Sequence, residues 1–331
     1  MSDHAGAAPS VSILIPALRP NWLDTAIASA LAQTHADFEL LVSDDSPGRD
    51  IESVVAKWSD PRIRYLRNPR RGQPGANRDH LLAHARGEYL KFLFDDDYLM
   101  PRSVELLLAA CRDTGAPMAF HARHVVDENG VVIESKSLVP TGQTTLVSPA
   151  FFFEHMVGRC VNLVGEPSNT LLHAPSLAQL PQPFALGSRR MRFLTDMALF
   201  ANLGALGPGF AAVGYFGSAF RRHAAQASSQ HRPVNSAAYF EWDLLRRWSV
   251  DAGMLPRVQY DAGLPQMRAM YGQARPHFPE LQPFVNLLHE GLRADDSALD
   301  ARFAEALTLA YAAIEVRKLA IAATARTGKP S

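Results

Sequence analysis

The chain has 331 residues, of which 47% are hydrophobic and 20% charged, a globular composition with material for one large domain with appendages or two ordinary ones. Lys+Arg and Asp+Glu balance at 33 each, so no global field favours nucleic acid or an anionic membrane. The two cysteines, Cys111 and Cys160, argue against a disulfide scaffold or a cysteine-based zinc site and fit a reducing compartment.

Residues 1–9 read as a small, polar, flexible leader. The opening "MSDHAGAAPS" has no basic segment followed by an apolar core, so it does not read as a signal peptide. No apolar run reaches membrane-spanning length, and a cytoplasmic protein is the expectation. "VSILIPA" then reads as a fully buried, β-branched strand halted by Pro16. "NWLDTAIASALAQ" repeats apolar residues at helical spacing, with Leu23, Ile27, Ala30 and Leu31 on one side. "FELLVSDDS" is a second strand, "IESVVAKWS" a helix and "RIRYLRN" a short strand. "GANRDHLLAHARG" is a helix with Gly87 as its stop, and "YLKFLF" is a strand running into Asp95, Asp96 and Asp97.

Strand–helix alternation of this kind predicts a mostly parallel sheet with helices on both faces, and such sheets bind ligands at the carboxyl ends of their strands. Three strands end there in polar or unusual residues: Pro16-Ala17, Asp44-Asp45-Ser46 and Asp95-Asp96-Asp97. Beyond Pro101 come a helix ("SVELLLAACRDTG"), a hairpin turned at Asn129-Gly130, and a loop-rich stretch. A helix carrying Asp196 follows, then a strand ("GYFGSAFRR") entering a loop. From Asn235 onward the chain is largely helical, with breaks at Gly253, Gly263, Pro276 and Pro279. His121 and His124 fall on opposite faces of a strand and form no metal pair.

The segments "VSILIPALRPNWLDTAIASALAQTHADFELLVSDDSPGRD", "RGQPGANRDHLLAHARGEYLKFLFDDDYLMP", "RFLTDMALF" and "FRRHAAQASS" resemble the inverting family 2 glycosyltransferases. The resemblance is close over 11–112, legible to Ser229, and does not reach the last hundred or so residues. It implies an α/β, Rossmann-like GT-A fold, with a mixed, mostly parallel central sheet flanked by helices and a helical C-terminal region. The expected domains are a catalytic domain over 10–232, in a nucleotide-sugar half (10–112) and an acceptor half (113–232), and a helical extension over 233–331.

Sugar transfer from a nucleotide donor needs a nucleotide cradle, charge neutralisation for the departing diphosphate, and a base for the acceptor hydroxyl. Asp95-Asp96-Asp97 stands where the family has its Asp-x-Asp motif and would hold Mn²⁺ or Mg²⁺, because hard cations prefer carboxylate oxygens. Asp97 is the expected ligand, joined by Asp95 or His223, while Asp95 and Asp96 meet the donor; the bland reading is a turn or cap before the next helix. A carboxylate at Asp45, with Asp44 as the alternative, can accept the imide hydrogen of a uracil or thymine base, although an ordinary Asx-turn reads equally well from the residues. Pro16, Ala17 and Arg19 would line the nucleoside.

Arg78, in a basic Gly-containing loop, and Arg221 with Arg222 would contact phosphate, though Arg78 stands one place later than the family's arginine. Asp196 would be the base, in line with the leaving group and so inverting the anomeric carbon; Thr195 stands where the family has a second acid. Glu166 and Ser168 fall on the acceptor side. The implied partners are a UDP- or dTDP-sugar and a glycan, lipid-linked or protein acceptor in bacterial surface-glycan synthesis, with no nucleic acid. "DARFAEALTLAYAAIEVRKLAIAATAR" places Phe303, Leu307, Ala310 and Ile314 on one helical face, for packing on the catalytic domain or in a homodimer. Arg317, Lys318 and Arg326 allow a peripheral contact with the inner membrane face. An inactive donor-binding subunit is the alternative; a sugar-nucleotide pyrophosphorylase fits less well, since "PALRPNW" has no glycine after the first strand.

Overall fold

The computed structural model describes residues 8–226, 233–292 and 297–327, the side chains at 322 and 325–327 excepted. Most of the leader, Ala227–Ser229 of "FRRHAAQASS" and the side chain of Arg326 therefore lie outside the described residues. In chain order the first half is β1 (Val11–Ala17), α1 (Leu23–Leu31), β2 (Phe38–Asp44), α2 (Asp50–Val55), β3 (Ile63–Arg67), α3 (Ala76–His84), β4 (Tyr89–Phe92), β5 (Tyr98–Leu99), α4 (Ser103–Thr114), β6 (Met118–Val126), β7 (Val132–Lys136) and β8 (Thr144–Val147). There follow α5 (Pro149–Phe151), continued by a π-helical turn (Phe152–Val157), then β9 (Thr170–His173), α6 (Ala174–Ala178), β10 (Ala185–Leu186), β11 (Arg189–Arg190), α7 (Thr195–Gly204) and β12 (Phe210–Arg221). Helices complete the chain: α8 (Ala237–Asp251), α9 (Arg257–Ala274), α10 (Gln282–Glu290) and α11 (Ala301–Thr327).

The chain divides into two compact units, each assembled from more than one stretch of sequence. The first comprises Met1–Ser148, Leu163–Pro181 and Leu206–His223; the second comprises Pro149–Asn162, Gln182–Ala205 and Ala224–Ser331. The Asp196 helix α7 thus belongs with the C-terminal helices.

In the first unit the described strands form one sheet in the order β3-β2-β1-β4-β9-β6-β12-β5, with β7 on β6 and β8 on β12. β3, β2, β1 and β4 are parallel, β9 runs antiparallel between β4 and β6, and β12 is parallel to β6. Every residue of β2 is buried, and all of β1 except Pro16, which is why both read as mainly apolar runs rather than alternating ones; the buried Ser12 and Glu39 hydrogen-bond to each other. α1 buries Leu23, Ala26, Ile27 and Ala30 against this sheet's core. Gly87 is not the helix stop: α3 ends at His84, and a Cβ on Gly87 would stand 2.4 Å from the backbone nitrogen of Ser12. The glycine is there so that β4 can start against β1.

The second unit is helical apart from the β10–β11 strand pair. Phe240 stacks on Phe284 at 5.2 Å, and Phe303 and Tyr311 meet that pair edge-on. α11 buries Phe303, Leu307, Ala310 and Ile314, the face its spacing predicts, and Trp242 is likewise a core residue. The expected break at Gly263 does not occur, for α9 runs through both Gly263 and Pro265. A side chain at 263 would meet the guanidinium of Arg246 and the carbonyl of Gly158, each at 2.5 Å. Among the described residues no helix is long and apolar enough to cross a membrane.

Candidate active site

The carboxyl ends of β1, β2 and β4 bring the three predicted clusters to one edge of the first unit's sheet. Asp44, the last residue of β2, is fully buried. Its carboxylate accepts the Ser46 amide at 2.7 Å, the Tyr65 hydroxyl at 2.7 Å and the Arg67 guanidinium. Burial pushes its pKa up, but these donors outweigh burial and hold it below the usual carboxylate range. With these donors on its oxygens, Asp44 braces the end of β2 against β3. Asp45 is only half-buried; it accepts Asn68 Nδ2 at 2.6 Å and sits over the Gly72 amide at 3.3 Å. Its own amide donates to the Ala17 carbonyl, tying the ends of β1 and β2.

The three aspartates after β4 have three different surroundings. Asp95 Oδ2 accepts the backbone amides of Leu18 and Arg19, at 2.7 and 2.8 Å. It therefore shapes the β1–α1 loop through this one oxygen. Burial raises its pKa against the pull of those two amides. Asp96 Oδ2 lies 2.9 Å from His223 Nε2, and the His223 ring packs on Trp22 at 4.5 Å between centroids. Asp97 is wholly buried; Oδ1 accepts the Arg221 amide at 3.0 Å, and Oδ2 has no hydrogen-bond partner. Its pKa is raised well above the usual range, first by burial and then by the neighbouring Asp96 charge.

Arg221 is buried, and its guanidinium donates to the carbonyls of Asp96, Asp127 and Glu128 while facing the rings of Trp22 and Tyr98. It locks the aspartate turn to the β6–β7 hairpin. Arg222 points out to Glu134 on β7 at 3.3 Å. Arg78 pairs with Asp79 at 3.2 Å. Ser168 is buried, its hydroxyl accepting the Phe94 amide and its carbonyl the Lys91 ammonium, and Glu166 pairs with Arg123 at 2.9 Å. Pro16 is half-buried and Ala17 buried beside them. His121 and His124 take separate partners, Ser103 and Ser135, as their opposite faces require.

Three residues matter here that the sequence did not mark out. Lys91 is a fully buried cation whose pKa falls to about 7, because burial disfavours its charge more than Asp97 supports it. Asn77 donates to the Ser43 carbonyl and leaves Oδ1 without a partner at the end of β2. Trp22 supplies the aromatic wall beside His223. Only Trp22 had a visible signal, as an aromatic residue next to a strand-end loop.

Among the described residues no three His, Cys, Asp or Glu side chains form a ready-made metal cage. The residues present still fit a hard divalent cation that takes most of its oxygens from a bound diphosphate. An orphaned, buried carboxylate oxygen in Asp97 and the adjacent Asp96–His223 pair are the donors such a shared site needs.

In the second unit, Asp196 stands in the first turn of α7. Its Oδ1 accepts the Met197 amide at 2.8 Å, and its Oδ2 lies 3.3 Å from Asn162 Nδ2.

A mixed sheet flanked by helices, with acidic strand ends gathered at one edge, is the GT-A architecture, and solved structures share it. Staphylococcus aureus TarS superposes with a TM-score of 0.55 at 12% identity, over 85% of this chain and 53% of that one. Its 1–349 fragment in complex with UDP-GlcNAc gives 0.55 at 13% identity, over 85% and 87%. The profile of glycosyl transferase family 2 matches residues 12–177 of the 331, and the chain belongs to that family. Its relatives include an uncharacterized glycosyltransferase of Rickettsia conorii, 35% identical over 38% of this chain and 21% of that protein. A Campylobacter jejuni GalNAc(5)-diNAcBac-PP-undecaprenol β-1,3-glucosyltransferase is 36% identical over 30% of this chain and 34% of its own length. The Escherichia coli UDP-Glc:α-D-GlcNAc-diphosphoundecaprenol β-1,3-glucosyltransferase WfgD is 30% identical over 37% and 49%. The chain thus spans half or less of each of these curated relatives.

Proposed function

We propose that this chain transfers a sugar from a nucleotide diphosphate donor, UDP-sugars favoured over dTDP-sugars, to an acceptor hydroxyl with inversion at the anomeric carbon. The observation that carries the reading is the unsatisfied oxygen of Asp97, held beside the Asp96–His223 pair at the strand edge that also presents Asp45. A buried carboxylate with an unpaired oxygen is costly unless a ligand completes it. Asp45 accepts the base imide; Pro16, Ala17 and Arg19 flank the nucleoside. Asp97, with Asp96 and His223, would hold Mn²⁺ or Mg²⁺, which when bound neutralises the departing diphosphate. Arg78, Arg221 and Arg222 are assigned to the phosphates, Arg78 and Arg222 out of their present pairings with Asp79 and Glu134, and Glu166 is retained on the acceptor side. Asp196, assigned as base from the family motif, takes the proton of the attacking hydroxyl.

The undecaprenyl-linked acceptors named for two relatives support a lipid-linked glycan acceptor and work at the inner membrane face. Exposed Leu309, Val316, Leu319 and Ile321 on α11 are where a second copy or a membrane surface would pack. Thermal-shift screening of nucleotide sugars with Mn²⁺ tests the reading, because ligands of the native state raise its melting point. A UDP-sugar should stabilise the protein, and Asp97→Ala and chelator should each abolish the shift. An equal shift with chelator present would remove the metal. The inactive-subunit reading draws on Thr195, and sustained release of UDP from a UDP-sugar would end it.

A further inference from the structure

The C-terminal helices contain a carboxylate placed to act on α7. Glu241 of α8 is fully buried. Its Oε1 accepts the Arg192 amide at 2.6 Å and the Tyr311 hydroxyl at 2.8 Å. Its Oε2 accepts the amides of Phe193 and Leu194, at 2.9 and 2.7 Å. Three of its four donors are consecutive amides, which can only donate; this nest favours the carboxylate against the burial that raises its pKa. Those amides end at Leu194, the N-cap residue of α7, which has no side-chain cap of its own. Two residues further on is Asp196.

The other contacts converge on the same turn. The Arg192 guanidinium lies 4.3 Å over the Tyr311 ring and pairs with Glu315 of α11. Burying an ion this deeply costs more than an apolar residue at the same place, so its retention asks for a reason. A capping role alone would be met more cheaply by a local Ser, Thr or Asp at position 194.

We propose that Glu241, oriented by Tyr311, is a positioning residue for Asp196: it fixes residues 192–194 so that the first turn of α7 presents the carboxylate in one orientation. The C-terminal helical region is then part of the catalytic apparatus through this one anion. The inference rests on the reading of Asp196 as base.

Glu241→Gln keeps the side chain's size and removes its charge, replacing one acceptor by an amide donor that faces amides. Hydrogen exchange at 192–197 should accelerate at least tenfold in this variant, while the dissociation constant for UDP with Mn²⁺ stays within twofold of wild type. Turnover, read as UDP release from UDP-glucose with Mn²⁺, should fall at least tenfold in kcat with little change in KM. In an Asp196→Asn background, Glu241→Gln should have no further effect on the residual rate, because a residue acting only through Asp196 has nothing left to act on. A merely structural Glu241 would lower the rate further in that background, and that result overturns the proposal, as does unchanged exchange at 192–197. If Glu241→Gln does not fold, Tyr311→Phe, which leaves the carboxylate in place, carries the same cycle with a smaller expected loss of about threefold. If Asp196→Asn alone leaves turnover unchanged, the base assignment fails, and the exchange experiment still decides whether Glu241 orders the turn.

Discussion

Two regions of this protein bury clustered charge, and they do it in opposite ways. On α8, Asp243 faces Arg246 and Arg247, all three fully buried. Arg247 pairs with Asp243 at 2.9 Å, and the Tyr260 hydroxyl donates to the same carboxylate at 3.0 Å. The excess positive charge is covered by ring faces, with Arg246 over Tyr260 and Arg247 over Phe303, both at 4.3 Å. At the end of β4 three carboxylates adjoin, one oxygen has no partner, the Arg221 guanidinium is taken up by backbone carbonyls, and burial lowers the Lys91 pKa to about 7. Around α8 three guanidinium nitrogens, Arg246 Nε and Nη1 and Arg247 Nη2, also lack hydrogen-bond partners, but an opposite charge and ring faces surround them, whereas the strand edge gathers carboxylates beside one another. An unpaired buried atom therefore does not by itself mark a site; the sign of its neighbours separates the two clusters.

The same chemical change at each place should break the comparison most visibly. Asp243→Asn leaves two buried guanidinium groups without a countercharge, and about 3–5 kcal/mol of stability should be lost, read by urea unfolding. Asp97→Asn removes a carboxylate that repels Asp96, so stability should stay within about 1 kcal/mol of wild type. Sugar transfer, in contrast, should fall by about a thousandfold or more, with the Mn²⁺-dependent affinity for UDP lost. If Asp97→Asn unfolds the protein as Asp243→Asn does, the aspartate cluster is structural after all.

Asp196→Asn sharpens the division of labour next. UDP affinity should be unchanged, since the nucleotide residues proposed here all lie in the first unit. Turnover should drop about a hundredfold or more, the ordinary contribution of a general base. Turnover equal to wild type would take Asp196 out of the mechanism.

What the sequence made legible follows the same line. β1, β2 and β4 read from largely β-branched and apolar runs, interrupted by Ser12, Glu39 and Lys91, and their order put the aspartates at a strand edge. The roles within the edge did not read, because they depend on pairings across the fold. Arg221 meets Asp97 across 124 positions of chain, and β12's register, broken by shifts around Phe216, decides that meeting. A local reading sees an arginine beside a histidine and expects phosphate. Gly87 and Gly263 misled for a similar reason: each looks like a helix breaker locally and is a close-approach residue in three dimensions. The division of the chain was likewise invisible, since α7 joins the C-terminal helices through Glu241, far along the sequence.

Lys91 offers a pH test of the compensation argument. Its native pKa is lowered from 10.5 to about 7, first by burial, with Asp97 opposing. Between these values the unfolded chain binds the proton that the native protein has released, so stability should rise with pH through that window. Below about pH 7 the penalty is present in full. The slope should approach but not exceed about 1.4 kcal/mol per pH unit. Lys91→Met should be flatter over the same range in urea unfolding, and parallel curves would mean that Lys91 stays charged and the cluster is compensated from within.

The smallest expected effect concerns the aromatic wall. Trp22, at the start of α1, contacts the His223 ring at 4.5 Å and lies under the Arg221 guanidinium at 5.2 Å. Aromatic contacts of this kind are worth about 0.5–1.5 kcal/mol beyond the area they bury. Trp22→Ala should therefore weaken UDP binding with Mn²⁺ by roughly three- to tenfold. Trp22→Phe, which keeps a ring against His223, should recover most of that loss. The loss should also shrink in a His223→Ala background, because the two rings act as one wall. An alanine variant that binds UDP as tightly as wild type would show that His223 is held by Asp96 alone, and the strand edge would then owe nothing to α1.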